Sequence, residues 1–178
     1  PVVRTPDRSA TSTSQPLPEL RDQRDAEVAV QTLGGDANNV TQSVAGPAQD
    51  EEEAYKAAFE QLKALRFDES SRRFLSFLDD YPNSELADNA QYWLAESYYG
   101  AKNYRIALEA FETMVQRYAS SPKLSDAMLK IGYTHYELED YAAAGDALNA
   151  VVERFPGSTV ARLAGNRLRV MRLEGQID

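Results

Sequence analysis

Residues 90–122 read AQYWLAESYYGAKNYRIALEAFETMVQRYASSP, and this stretch decides the fold. Apolar residues recur at steps of three and four, first at Tyr92, Leu94, Ala95, Tyr98 and Tyr99, then at Tyr104, Ala107, Phe111 and Met114. That period predicts two amphipathic helices, near 86–100 and 104–118. Asn103 stands between them as a candidate N-cap, and Tyr118-Ala119-Ser120 closes the pair. Ser121 is then placed to cap the following helix, with Pro122 at its first position, where a missing amide hydrogen costs nothing.

The same chemistry returns at a fixed offset of 37 residues in both directions. Phe67, Tyr104 and Tyr141 share a phase, as do Phe74, Phe111 and Leu148, Phe77, Met114 and Val151, and Tyr81, Tyr118 and Phe155. Small residues align as well: Ala58, Ala95 and Gly132, then Ser70, Ala107 and Ala144. Two antiparallel helices approach closely only where a side chain at the crossing is nearly absent, so each unit is expected to be a helix-turn-helix pair. First helices are expected over 51–65, 86–100 and 123–138, and second helices near 68–80, 104–118 and 141–155. Ser84, Ser121 and Ser158 fall in phase at the start of the next first helix. Asp140 is the N-cap candidate that matches Asn103.

Thr159–Leu173 reads as one more helix, covering the last open apolar face, with Arg162, Arg167, Arg169 and Arg172 keeping its outer side soluble. No stretch alternates as a strand would. The expected architecture is an all-α solenoid of three helix-turn-helix repeats, about 48–84, 85–121 and 122–158. A capping helix at 159–174 closes a domain spanning 51–175.

Outward from the repeats the composition changes. Every Tyr, Phe and Trp of the 178 residues lies between Tyr55 and Phe155. Residues 1–50 hold none of them, but do hold Pro1, Pro6, Pro16, Pro18 and Pro47 and the Gly34-Gly35 pair. So little apolar surface cannot offset the entropy of ordering, so 1–50 is expected to be a disordered linker or tail.

Composition also bounds the chemistry. A formal charge of −9 opposes binding to phosphate backbones or anionic headgroups. There is no cysteine, and His135 is the one histidine, so thiolate nucleophiles, Cys-type zinc sites and two-His metal motifs are excluded. His135 falls at a core-facing phase. Asp79 and Asp80 are adjacent on one helix and point apart, so they do not form the facing acid pair that glycoside hydrolysis needs. No Gly-rich phosphate loop is present. The expectation is a non-enzymatic protein with no cofactor.

A binding surface is expected on the first helices. Counting by 37 gives the rows Tyr55/Tyr92/Leu129/Asn166, Phe59/Glu96/Tyr133/Val170 and Leu62/Tyr99/Tyr136/Leu173. Steps of four and three put these rows on one stripe of each first helix. Tyr55, Phe59, Tyr92, Tyr99, Tyr133 and Tyr136 would form an aromatic groove for a peptide or helix, with Glu52, Asn89, Glu96 and Asp126 supplying polar contacts. Tyrosine suits such a surface because it buries a large area and keeps a hydrogen-bonding tip. The alternative use of the same rings is packing between helices.

Leu94-Ala95, Tyr98, Tyr104, Ala107 and Phe111 resemble the tetratricopeptide (TPR) consensus, as do Ile131-Gly132, Tyr141, Ala144 and Pro156. The first unit departs from it at Gln61 and Ser70. The strings FLSFLDDYPNSELADNAQYWLAESYY (74–99), NYRIALEAFETMVQRYASSPKLSDAMLKIGY (103–133) and VVERFPGSTVARLAGNRL (151–168) resemble the C-terminal domain of the CpoB/YbgF family of cell-division coordinators, over about 51–173. The resemblance implies a periplasmic adaptor that links the Tol–Pal machine, through TolA, to the septal bifunctional peptidoglycan synthase. Members carry an N-terminal trimerising coiled coil. Residues 1–50 resemble only the linker that follows it, so this chain is expected to be a C-terminal portion, with any homotrimer formed through a coil lying elsewhere. An assembly scaffold for outer-membrane proteins, whose members share the YPNS-type turn, is the alternative.

Overall fold

The computed structural model describes residues 47–178, and the expected tail lies outside the described residues as far as residue 46. Seven helices follow in order among the described residues: α1 (Pro47–Lys63), α2 (Phe67–Asp80), α3 (Ala87–Gly100), α4 (Tyr104–Arg117), α5 (Leu124–Glu137), α6 (Tyr141–Arg154) and α7 (Thr159–Leu173). Each packs on its neighbours in sequence. The first helices of successive units also touch, α1 against α3 and α5 against α7. This is the solenoid that the 37-residue offset requires, since each unit can bury its apolar face only against the next. The first helix opens at Pro47, four residues before the expected boundary at 51.

The core lies along the crossings. Phe74, Phe77, Phe111, Met114, Leu148 and Val151 are fully buried, each in a phase the offset identifies. Side chains of this size contribute roughly 1.5–3 kcal/mol apiece on burial. Ala58, Ala95, Ala107 and Ala144 have no exposed surface. At Gly132 an added Cβ would stand 2.7 Å from Leu148 Cγ, so α5 and α6 meet there at a distance only glycine permits.

Ser70 replaces the usual alanine at its crossing, and the structure supplies the reason it is tolerated. Its hydroxyl is 3.3 Å from the Ala58 carbonyl and 2.8 Å from the Ser97 hydroxyl. Ser97 in turn donates to the Trp93 carbonyl at 2.7 Å. A buried hydroxyl with partners costs little, and this chain of bonds ties the first unit to the second.

The first helices end in a repeated turn. Leu65, Lys102 and Glu139 take φ of 57°, 61° and 62°, and the amides of Arg66, Asn103 and Asp140 donate to the carbonyls of Gln61, Tyr98 and His135 at 2.9–3.0 Å. This is the Schellman arrangement, which usually places glycine at the left-handed position. Helix α7 ends the same way at Gly175. The phase of Ala58, Ala95 and Gly132 is taken in α7 by Arg169, exposed and 3.1 Å from Asn166 Oδ1. A second helix could not close on α7 there, and Ile177 folds back against Gly145 instead.

Capping departs in part from expectation. Ser158 caps α7 by accepting from the Ala161 amide at 3.1 Å, and Asp140 caps α6 by accepting from Ala143. Ser84 and Ser121 accept from Leu86 and Lys123, inside an extra turn that precedes α3 and α5. Pro122 therefore stands in that turn and not at a first helical position. Asn103 is the residue before α4 but makes no side-chain cap bond.

Candidate protein-binding groove

The first helices α1, α3, α5 and α7 share one side of the solenoid, and their three rows of side chains separate by depth. The row of Tyr55 and Tyr92 is core, 6% and 7% exposed, and Phe59 is 8% exposed. These three are corrected from groove to core. Tyr55 meets Phe74 and Phe77 edge-on at 5.7 Å each, Phe59 packs on Trp93 at 5.2 Å, and Tyr92 lies against Trp93 and Phe111. The physical cause is packing on two sides. The second helix of the same unit closes over Tyr55 and Tyr92 with Phe74, Phe77 and Phe111, and Trp93 of the next first helix closes over Phe59.

The other rows remain partly open. Glu96, Tyr99, Tyr133 and Tyr136 are half-buried on adjoining faces of α3 and α5. Tyr99 meets Tyr104 at 5.3 Å, and Tyr136 meets Tyr141 at 5.5 Å, the same pair one unit on. Tyr99 Oη is 3.5 Å from Glu137 and Tyr136 Oη is 3.4 Å from Glu174, also one unit apart. Asn89 is drawn to its neighbour, its Nδ2 3.1 Å from Asp88 Oδ1, and Asp126 stands in the first turn of α5. Glu52 is half-buried on α1.

Three charged residues absent from the expected groove complete it. Lys130 Nζ is 2.7 Å from Glu96 Oε2 and 4.8 Å from the centre of the Tyr99 ring. The Arg167 guanidinium lies over Tyr133 at 5.3 Å and Tyr136 at 4.5 Å. Glu137 meets the Tyr99 phenol. Lys130 and Arg167 share a phase one residue beside the Tyr92 row, and a wider stripe would have found them. Burial, with Glu137 adding to it, pushes the Tyr99 phenol well above its ordinary 10.0, and Arg167 opposes the shift. Burial also raises Tyr133, again opposed by Arg167. His135 is mostly buried, its Nδ1 3.9 Å from Asp140 Oδ2. No cluster of His, Cys, Asp or Glu among the described residues could hold a metal ion.

An apolar floor of tyrosines with a few fixed charges, repeated from helix to helix, suits recognition of a polypeptide segment. Comparison with known proteins agrees with the class. The family model described as Tetratricopeptide repeat matches residues 55–122 and 94–159. The chain belongs to the tetratricopeptide repeat family, whose fold is a protein-interaction scaffold. A stretch of 42 residues is 55% identical to the cell division coordinator CpoB of Pseudomonas putida, covering 24% of this chain and 16% of that protein. Among solved structures, the first TPR of Spaghetti (RPAP3), bound to the HSP90 peptide SRMEEVD, superposes with a TM-score of 0.59 at 17% identity, covering 74% of this chain and 98% of that one. The CopN–Scc3 complex gives 0.58 at 14% identity, with 92% of each chain covered. Both share the fold.

Proposed function

We propose that this chain is a non-enzymatic periplasmic adaptor that holds a partner segment along the first-helix face. Its partners would be TolA and the septal bifunctional peptidoglycan synthase complex, coupling Tol–Pal-driven constriction of the outer membrane to septal wall synthesis. The observation that carries the reading is the half-buried tyrosine ledge, Tyr99, Tyr133 and Tyr136, with the Tyr99 and Tyr136 phenols tethered to Glu137 and Glu174 one unit apart and the Tyr133 ring held under Arg167. Tethered rings lose little further freedom on binding, which favours affinity. The local identity to CpoB supports the choice of partners. A similar fold in RPAP3 holds a peptide, which supports the choice of a segment as ligand.

Calorimetry of the full chain against a segment of TolA tests this. Changing Tyr99, Tyr133 and Tyr136 together to Ala should remove binding, since anchors of this kind cost about 1–2 kcal/mol or more each. Glu109→Ala with Glu112→Ala, on the exposed side of α4, should leave it intact. Normal binding by a folded groove variant, or no binding by the parent, refutes the proposal.

A further inference from the structure

Arg167 is half-buried on the groove side of α7, and no carboxylate, carbonyl or hydroxyl accepts from it among the described residues. Its neighbour in phase, Lys130, is matched to Glu96 at 2.7 Å. The guanidinium instead rests on two tyrosine faces, Tyr133 and Tyr136. Held over the two rings, the guanidinium keeps its planar fork of N–H donors for an acceptor from outside. Such a fork matches a carboxylate in both shape and charge.

We infer that Arg167 reads an acidic side chain, Asp or Glu, of the partner segment in the groove, an assignment that rests on the groove reading above. Apolar surface continues on both sides, toward Leu173, 82% exposed, and toward Tyr99. A segment lying on that surface passes over Arg167 and offers it a side chain, not a terminus. The chain as a whole is acidic, at −9, and repels an acidic partner at a distance. Surface charges are screened over about 8–10 Å at physiological salt, while a half-buried contact is screened far less, so the local fork prevails once the segment is seated.

The test is selection of random peptides, displayed as fusions through their C-terminal ends, on the immobilised full chain. Only side-chain carboxylates are then offered. Enriched peptides should share an Asp or Glu beside an apolar residue, and should bind Arg167→Gln about tenfold or more weakly. Arg167→Lys, which keeps the charge but not the fork, should fall between parent and Arg167→Gln, and helical circular dichroism of both variants should match the parent. Replacing the shared acid by its amide should weaken binding to the parent and change nothing for Arg167→Gln. Peptides without a shared acid, or an acid indifferent to Arg167, overturn the inference while leaving the groove standing. Peptides indifferent to Tyr136→Ala as well, or a selection that enriches none, overturn both.

Discussion

Lys130 Nζ lies 2.7 Å from Glu96 Oε2, joining the first helix of the second unit to that of the third with both side chains almost out of water. Lys130 also stacks on Tyr99, so one ammonium orders both the acid and the ring of the groove. Removing one member of such a pair leaves the other charge uncompensated. Lys130→Met should destabilise the domain by about 3 kcal/mol, and Glu96→Gln with Lys130→Met together should recover much of that loss. Chemical denaturation of the two single variants and the double variant measures the coupling. Strict additivity would show that the pair is a passive surface contact.

The depth difference between neighbouring tyrosines gives a second expectation. Tyr92→Ala opens a cavity beside Trp93 and Phe111 and should cost about 3–5 kcal/mol. Tyr136→Ala, on the half-buried row, should cost under about 2 kcal/mol. Equal losses in thermal melting would contradict the separation of core and groove rows.

At the α5–α6 crossing, Gly132→Ala sets two effects against each other. Alanine gains about 1 kcal/mol over glycine in a helix interior, but overpacking a tight core costs about 1–3 kcal/mol. The new methyl would stand 2.7 Å from both Leu148 Cγ and Cδ2, and Leu148 is fully buried, so the clash should prevail. A lowered melting temperature is the expected result, with a smaller loss when Gly132→Ala is made in a Leu148→Ala background than in the parent.

Lys102 holds φ 61° at the end of α3, a conformation that costs a side-chain-bearing residue about 1 kcal/mol or more. Lys102 is exposed. Lys102→Gly should therefore raise stability by roughly 0.5–1 kcal/mol, less what the unfolded chain gains in freedom. A fall in melting temperature would mean the Lys102 side chain supports the turn.

Tyr99 gives a pH dependence. Its phenol is held above its ordinary 10.0 in the folded state, chiefly by burial. The unfolded chain releases that proton first, so the stabilisation is complete below about pH 10 and is lost as pH rises toward the folded value. Melting temperature should drop more steeply with alkali for the parent than for Tyr99→Phe. Identical slopes would show that the phenol is not held in this way.

Much of the architecture is set by local sequence: helical periods, small residues at crossings and turn residues repeat at one offset, and each depends on near neighbours along the chain. Thr159–Leu173 was legible as a helix for that reason, and Arg169 at the crossing phase marks it as the cap. The depth of each row was not legible. Tyr92 and Tyr99 are alike in type and stand two turns apart on one helix, yet Tyr92 is core and Tyr99 lines the groove. What separates them is which helix each faces: α4 closes over Tyr92 with Phe111, beside Trp93 of its own helix, whereas α5 brings the polar Lys130 and Glu137 to Tyr99. Likewise Ser84 and Ser121 were in phase with Ser158, but only Ser158 caps its helix directly. The pairing of Lys130 with Glu96 and the stacking of Arg167 on Tyr133 and Tyr136 join residues about 30 positions apart, and only the packed solenoid brings them together.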